Sequence, residues 1–176
     1  EIRNAVHHSG RIPDLLVELN RYPSWRDIYG PEDARRRDQE LILRFLALLF
    51  EGEKYEKPLV AFLNSYMGRN KNLSDEMASV MKSRFSDAID LVYQSIGDRA
   101  FRPARALNAA VFDSVMVGTA KRLQNGPVVD IRAYKDAYDR LLGDRSYLDT
   151  CGRGTASVER VRTRLTLATS FFESVP

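Results

Sequence analysis

The run from Ser74 to Gly97 constrains this chain more than any other feature. Its apolar residues, Met77, Val80, Met81, Phe85, Ala88, Ile89, Val92 and Ile96, recur at intervals of 3, 1, 4, 3, 1, 3 and 4. That is the 3.6-residue period of an amphipathic helix with one stripe turned to a core. Ser74 offers a side-chain oxygen to cap it, Asp75 and Glu76 put negative charge in the first turn, and Gly97 stops it. No stretch alternates with period two, and no repeat recurs at a fixed spacing. The Asn125-Gly126 pair joins one helical pattern to another, so it reads as a helix end rather than a hairpin.

Helical patterns fill the rest of the chain. Ile2, Ala5 and Val6 form a short one before Ser9-Gly10. Pro13 reads as a first helical position, with Leu15, Leu16 and Leu19 on one face and Pro23 closing the segment. Ser24 is a cap for a short helix ended by Gly30, and the polar stretch from Pro31 to Arg37 is a loop. Asp38 caps the next helix, where Leu41, Ile42, Phe45, Leu46, Leu48 and Leu49 leave a narrow polar strip that predicts a central position. Pro58 restarts a helix with Phe62, Leu63, Tyr66 and Met67, and another runs from Leu107 to Leu123. Asp130 caps one that Gly143 stops, a weaker one follows from Asp144, and Thr155 or Ser157 opens the last. The expectation is all-α: one domain over residues 1–176, an irregular bundle of about seven to nine helices.

Composition fits that reading. Of 176 residues, 44% are apolar and 29% charged, which is globular rather than disordered and enough for one sizeable core. Lys plus Arg number 27 against 24 Asp plus Glu, a net charge of +3, mild for a nucleic-acid binder. The one cysteine, Cys151, excludes a disulfide within the chain and multi-cysteine metal sites, and it fits a reducing, cytoplasmic setting. The longest apolar run, Phe45 to Phe50, is far short of the ~18–20 residues of a membrane span, so no membrane partner is expected. The chain opens at Glu1 directly on patterned sequence and reads as a piece of something longer.

Residues that could carry chemistry are few. His7 and His8 are adjacent and point ~100° apart on a helix, so they cannot face one ion together; their expected role is structural or superficial. Cys151 lies far along the chain from both histidines and reads as an unreactive thiol. The stretch Cys151-Gly152-Arg153-Gly154-Thr155 runs into a helix start but lacks phosphate-loop spacing. Asp113 sits inside the apolar helix Val111–Val117, where a charge needs a partner, so a buried ion pair with an arginine is expected. Three basic groups remain: Arg35, Arg36 and Arg37; Arg99, Arg102 and Arg105; and Arg160, Arg162 and Arg164. They read either as solvated faces and ion pairs or as contacts to DNA phosphates. No catalytic residue and no metal ligand is assigned.

Six stretches, EIRNAVHH, PSWRDIYG, RRRDQELILRFLALLF, KPLVAFLNSYM, LNAAVFDSVMVG and TASVERVRTRLTLATSFF, occur in this order over nearly the whole chain. Together they resemble the helical C-terminal half of the domain-of-unknown-function 262 family, the N-terminal region of GmrSD-type modification-dependent restriction endonucleases. The resemblance implies a preceding ParB/sulfiredoxin-like α/β domain with an Asp-Gly-Gln-Gln-Arg motif for nucleotide binding and hydrolysis. Many family members add a His-Asn-His nuclease domain. Neither motif occurs in these residues. Glu1, Arg3 and Asn4 match the family's connector, which implies an interface with the missing nucleotide-binding domain. Asp38 and Arg44 fall in a matching stretch and are expected to be structural. The implied function is a helical scaffold and interaction half of a restriction-type, NTP-dependent anti-phage protein. It carries no catalytic site or cofactor of its own, and nucleoside triphosphate and divalent metal belong to other domains. The alternative is a modified-DNA-sensing module acting through the arginine clusters.

Overall fold

The computed structural model describes residues 10–176, so the short helix expected around Ile2 and Val6, with Glu1, Arg3, Asn4, His7 and His8, lies outside the described residues. Nine α-helices occur among the described residues: α1 (Arg11–Asn20), α2 (Pro23–Tyr29), α3 (Arg37–Glu51), α4 (Leu59–Arg69), α5 (Asp75–Ile96), α6 (Ala109–Arg122), α7 (Ile131–Gly143), α8 (Arg145–Cys151) and α9 (Val158–Glu173). No described residue lies in a strand, and no described helix is long and apolar enough to cross a membrane. The all-α expectation holds.

Local chemistry sets several of the helix ends. Ser74, Asp130 and Ser157 accept hydrogen bonds from the N–H groups of Met77, Ala133 and Arg160, satisfying donors that have no partner in the first turn. Gly30 and Gly97 stop α2 and α5 at φ 100° and 82°, where a side chain would be strained. Some ends differ from the sequence reading: Ser24, read as a cap, lies inside α2 and donates its hydroxyl to Asp90 Oδ1 at 2.5 Å. Pro23 opens α2 rather than closing α1, because the first helical N–H needs no partner and the ring's fixed φ suits that position. α3 begins at Arg37, with Arg36 left-handed at φ 56° before it, and Asp38 turns into the interior instead of capping.

α6 is the axis of the molecule: twelve of its fourteen residues are buried, against nine of fifteen in α3, the helix expected to be central. A helix buried all round has no clear stripe, and α6's small residues let its neighbours approach closely. At Gly118 an added Cβ would lie 3.0 Å from the Ala168 backbone of α9 and from the Phe172 ring. α3, α5 and α9 pack around α6, and one continuous apolar core runs from Ile12 to Val175. Trp25, fully buried, joins α2 to it through Phe112 at 5.2 Å and Phe85 at 6.3 Å between ring centres. Met77 and Val80, periodic positions of α5, are each 42% exposed. Ala78 and Met81 in the same turns are buried, so the inward face there is narrow and Met77 and Val80 lie at its edges.

Candidate functional site

Two buried carboxylates organise the polar interior. Asp113, on α6, is completely buried and receives a two-pronged contact from Arg44 of α3: Nε donates to Oδ1 at 3.1 Å and Nη2 to Oδ2 at 2.5 Å. From α9, Arg164 donates Nη2 to Asp113 Oδ2 at 3.3 Å and Nη1 to the Thr155 carbonyl at 2.5 Å. Three helices are thus joined through one carboxylate, in the planar fork geometry that suits arginine. Burial pulls the Arg44 guanidinium toward neutrality, but the Asp113 charge and hydrogen bonds outweigh it and its pKa is raised. Glu40, one turn before Arg44, is half-buried, and burial with the nearby Asp113 charge raises its carboxyl despite Arg44.

Asp38, also fully buried, holds the second hub. Its Oδ2 accepts from Asn20 Nδ2 at 3.0 Å, from Arg26 Nη1 at 3.1 Å and from the Asp33 N–H at 3.1 Å; its Oδ1 accepts from the Gln39 N–H at 2.9 Å. Asn20 Oδ1 in turn accepts from Trp25 Nε1 and Arg26 Nη2. The Arg26 guanidinium also lies over the Trp25 and Tyr29 rings, 5.8 and 5.3 Å from their centres. This network pins the loop that carries Arg35, Arg36 and Arg37.

Two of the three basic groups come together around the end of α2, through Arg37 and Arg102. Arg37 is tied to Asp33 at 2.7 Å, and Asp33 also accepts from the Tyr29 hydroxyl, whose pKa burial and that bond push up to about 12. Arg102 is a clamp: it donates to the carbonyls of Asp98, Ala100 and, at 2.7 Å, Ile28 of α2. A groove lined by Tyr29, Arg37, Glu40, Arg44 and Leu107 runs between the two segments. Each cluster contains a left-handed residue that is not glycine, Arg36 at φ 56° and Phe101 at φ 64°. Phe101 is held there by a buried ring, by its N–H to the Tyr138 hydroxyl at 2.9 Å, and by its carbonyl accepting from Asn108. Arg35, Arg36, Arg99 and Arg105 have no acidic side-chain partner among the described residues.

The third basic group is divided by the fold. Arg164 is buried in the Asp113 hub, Arg160 donates to the Asp149 carbonyl, and Arg162 stays on the surface. Cys151 is buried and burial raises its thiol pKa, so the thiolate that reacts is suppressed. No group of three or more His, Cys, Asp or Glu side chains among the described residues is placed to hold a metal ion. Sequence reasoning missed Asn20 and Arg26 as parts of a network; the PSWR stretch, with an arginine beside a tryptophan, was the available signal. It also missed Arg164 as the partner of Asp113, because 51 residues separate them. None of the family models, curated proteins or solved structures compared with the chain matches it.

Proposed function

We propose that this chain is a rigid helical support, the scaffold and interaction half of a restriction-type, NTP-dependent defence protein whose catalytic domains lie outside these residues. The reading takes its family from the resemblance of the six sequence stretches. The observation that carries the scaffold role is the Asp113 hub, where one buried carboxylate joins α3, α6 and α9 and has both oxygens occupied by guanidinium donors. Asp113 is completely buried, so this group fixes geometry and presents no carboxylate oxygen to a substrate. Glu1, Arg3 and Asn4 are assigned to the interface with a preceding nucleotide-binding domain. The test is a nucleoside-triphosphate hydrolysis assay on the isolated chain. The scaffold reading expects only background turnover; hydrolysis abolished by a point substitution within the chain overturns it.

A second reading is favoured by one observation, the gathering of two of the three basic groups around the end of α2. Arg35, Arg36, Arg99 and Arg105 would contact DNA phosphates there, while Arg37 and Arg102 hold the segments in place. This reading expects DNA binding that weakens steeply between low and physiological salt, and loss of binding on replacing Arg35 and Arg36 by alanine. Absence of salt-dependent binding at low ionic strength dismisses it.

A further inference from the structure

A second groove, about 690 Å³, lies between the C-terminal ends of α3 and α6 and one side of α9. It shares no lining residue with the groove that Tyr29, Arg37 and Leu107 line. Its floor is apolar: Leu49 and Leu165 are half-buried and Phe50 is 37% exposed. Its rim carries Lys54, Lys121 and Arg162, one cation from each of three elements. Lys121 and Arg162 are exposed and have no acidic partner among the described residues. Two carboxylates share the rim. Glu51 is paired with Arg69 and lies 3.8 Å from Lys54, whereas Glu53 is exposed.

We infer that this groove docks an acidic amphipathic helix of a partner protein. Leucine or aromatic side chains at i, i+3, i+4 and i+7 would rest on Leu49, Phe50 and Leu165, the pattern by which helices enter apolar grooves. Carboxylates on one flank of that helix would meet Lys121 and Arg162, and a basic residue on the other flank would meet Glu53. Charge complementarity selects this occupant over a nucleic-acid strand. A uniformly negative phosphate backbone cannot avoid Glu53, whereas a helix can set a basic residue against it, and two leucines with one phenylalanine make a poor stacking platform for successive bases. Part of this assignment follows from what the fold does with α9, since Arg160 and Arg164 are used internally and Arg162 alone is left to face the groove.

The test uses the full chain and a fluorescein-labelled Glu/Leu helix of ~18 residues, about five turns, read by anisotropy at low ionic strength. The expected result is saturable binding that falls at least about tenfold when Lys121→Glu and Arg162→Glu are combined. Thr166→Trp, which fills the groove without changing charge, should cause a comparable loss. Arg35→Glu with Arg36→Glu, in the loop before α3, should leave the peptide affinity unchanged. All of these positions but Arg36 are exposed, and circular dichroism checks that each variant keeps the fold. No binding by the wild-type chain overturns the inference, as does binding indifferent to both groove variants. Binding of a thymidine oligonucleotide that the groove variants abolish overturns it as well and assigns the surface to nucleic acid.

Discussion

Asp38 and Asp113 are both buried carboxylates that collect guanidinium donors, yet they act over different distances along the chain. The side-chain partners of Asp38 stand 18 and 12 residues away and its backbone partners 5 and 1; the partners of Asp113 stand 69 and 51 residues away. Closing a short loop costs less chain entropy than closing a long one. The Asp38 hub can therefore shape α2 and the following loop as a local unit. The Asp113 hub exists only when α3, α6 and α9 have already docked. One carboxylate positions a surface segment that carries candidate functional arginines, and the other secures the body on which that segment sits.

The largest test of this contrast is Asp113→Ala. It strands the buried Arg164 guanidinium and the largely buried one of Arg44, and should lower stability by about 3–5 kcal/mol in chemical denaturation. Hydrogen exchange should then rise across α3, α6 and α9 together. Asp38→Ala should cost less, roughly 2–3 kcal/mol, since Arg26 is partly exposed and can recover water. Its exchange increase should be confined to α2 and the loop after it; a global increase would break the contrast. Within the remote hub, Arg44→Ala and Arg164→Ala should be non-additive by about 0.5–3 kcal/mol in a double-mutant cycle, because both neutralise the same charge. Additive losses would mean that the two arginines act separately.

The smallest effect concerns Glu40, beside the remote hub. Burial raises its carboxyl pKa in the fold. In the interval between the unfolded and folded values the native state binds more protons, so its contribution to stability falls as pH rises through that interval. The ionised side chain therefore slightly opposes folding at neutral pH. Glu40→Gln should raise the thermal midpoint at pH 7, by an amount equivalent to less than about 0.5 kcal/mol for a half-exposed group. That gain should vanish in acid, where both states are protonated. A loss of stability at pH 7 would instead make Glu40 a working partner of Arg44.

Much of the fold was legible because helix signals are local. The period of α5 and the caps at Ser74, Asp130 and Ser157 depend on residues within a few positions of each other. Asp113 was legible in part: a carboxylate inside an apolar helix announces the need for a cation. Its partners were not, since the sequence presents Arg160, Arg162 and Arg164 as one basic group and the fold assigns the three to different tasks. Met77 and Val80 show the opposite error. Their spacing is right for a core stripe, but spacing does not say how wide the covered face is, and Ala78 and Met81 take the inward positions.

The sequence by itself determined that this chain is helical, where the helices capped by Ser74, Asp130 and Ser157 begin, that Gly30 and Gly97 end two helices, and that Asp113 needs a buried counter-charge. Only the tertiary structure decided that α6 is the axis, that Arg44 and Arg164 supply the counter-charge, and that two arginine clusters more than sixty residues apart share the end of α2. The physical reason is one of range. Helix formation and capping are settled within about four residues. Burial, close approach at Gly118 and ion pairing across α3, α6 and α9 depend on which helices meet, and no local pattern encodes that choice.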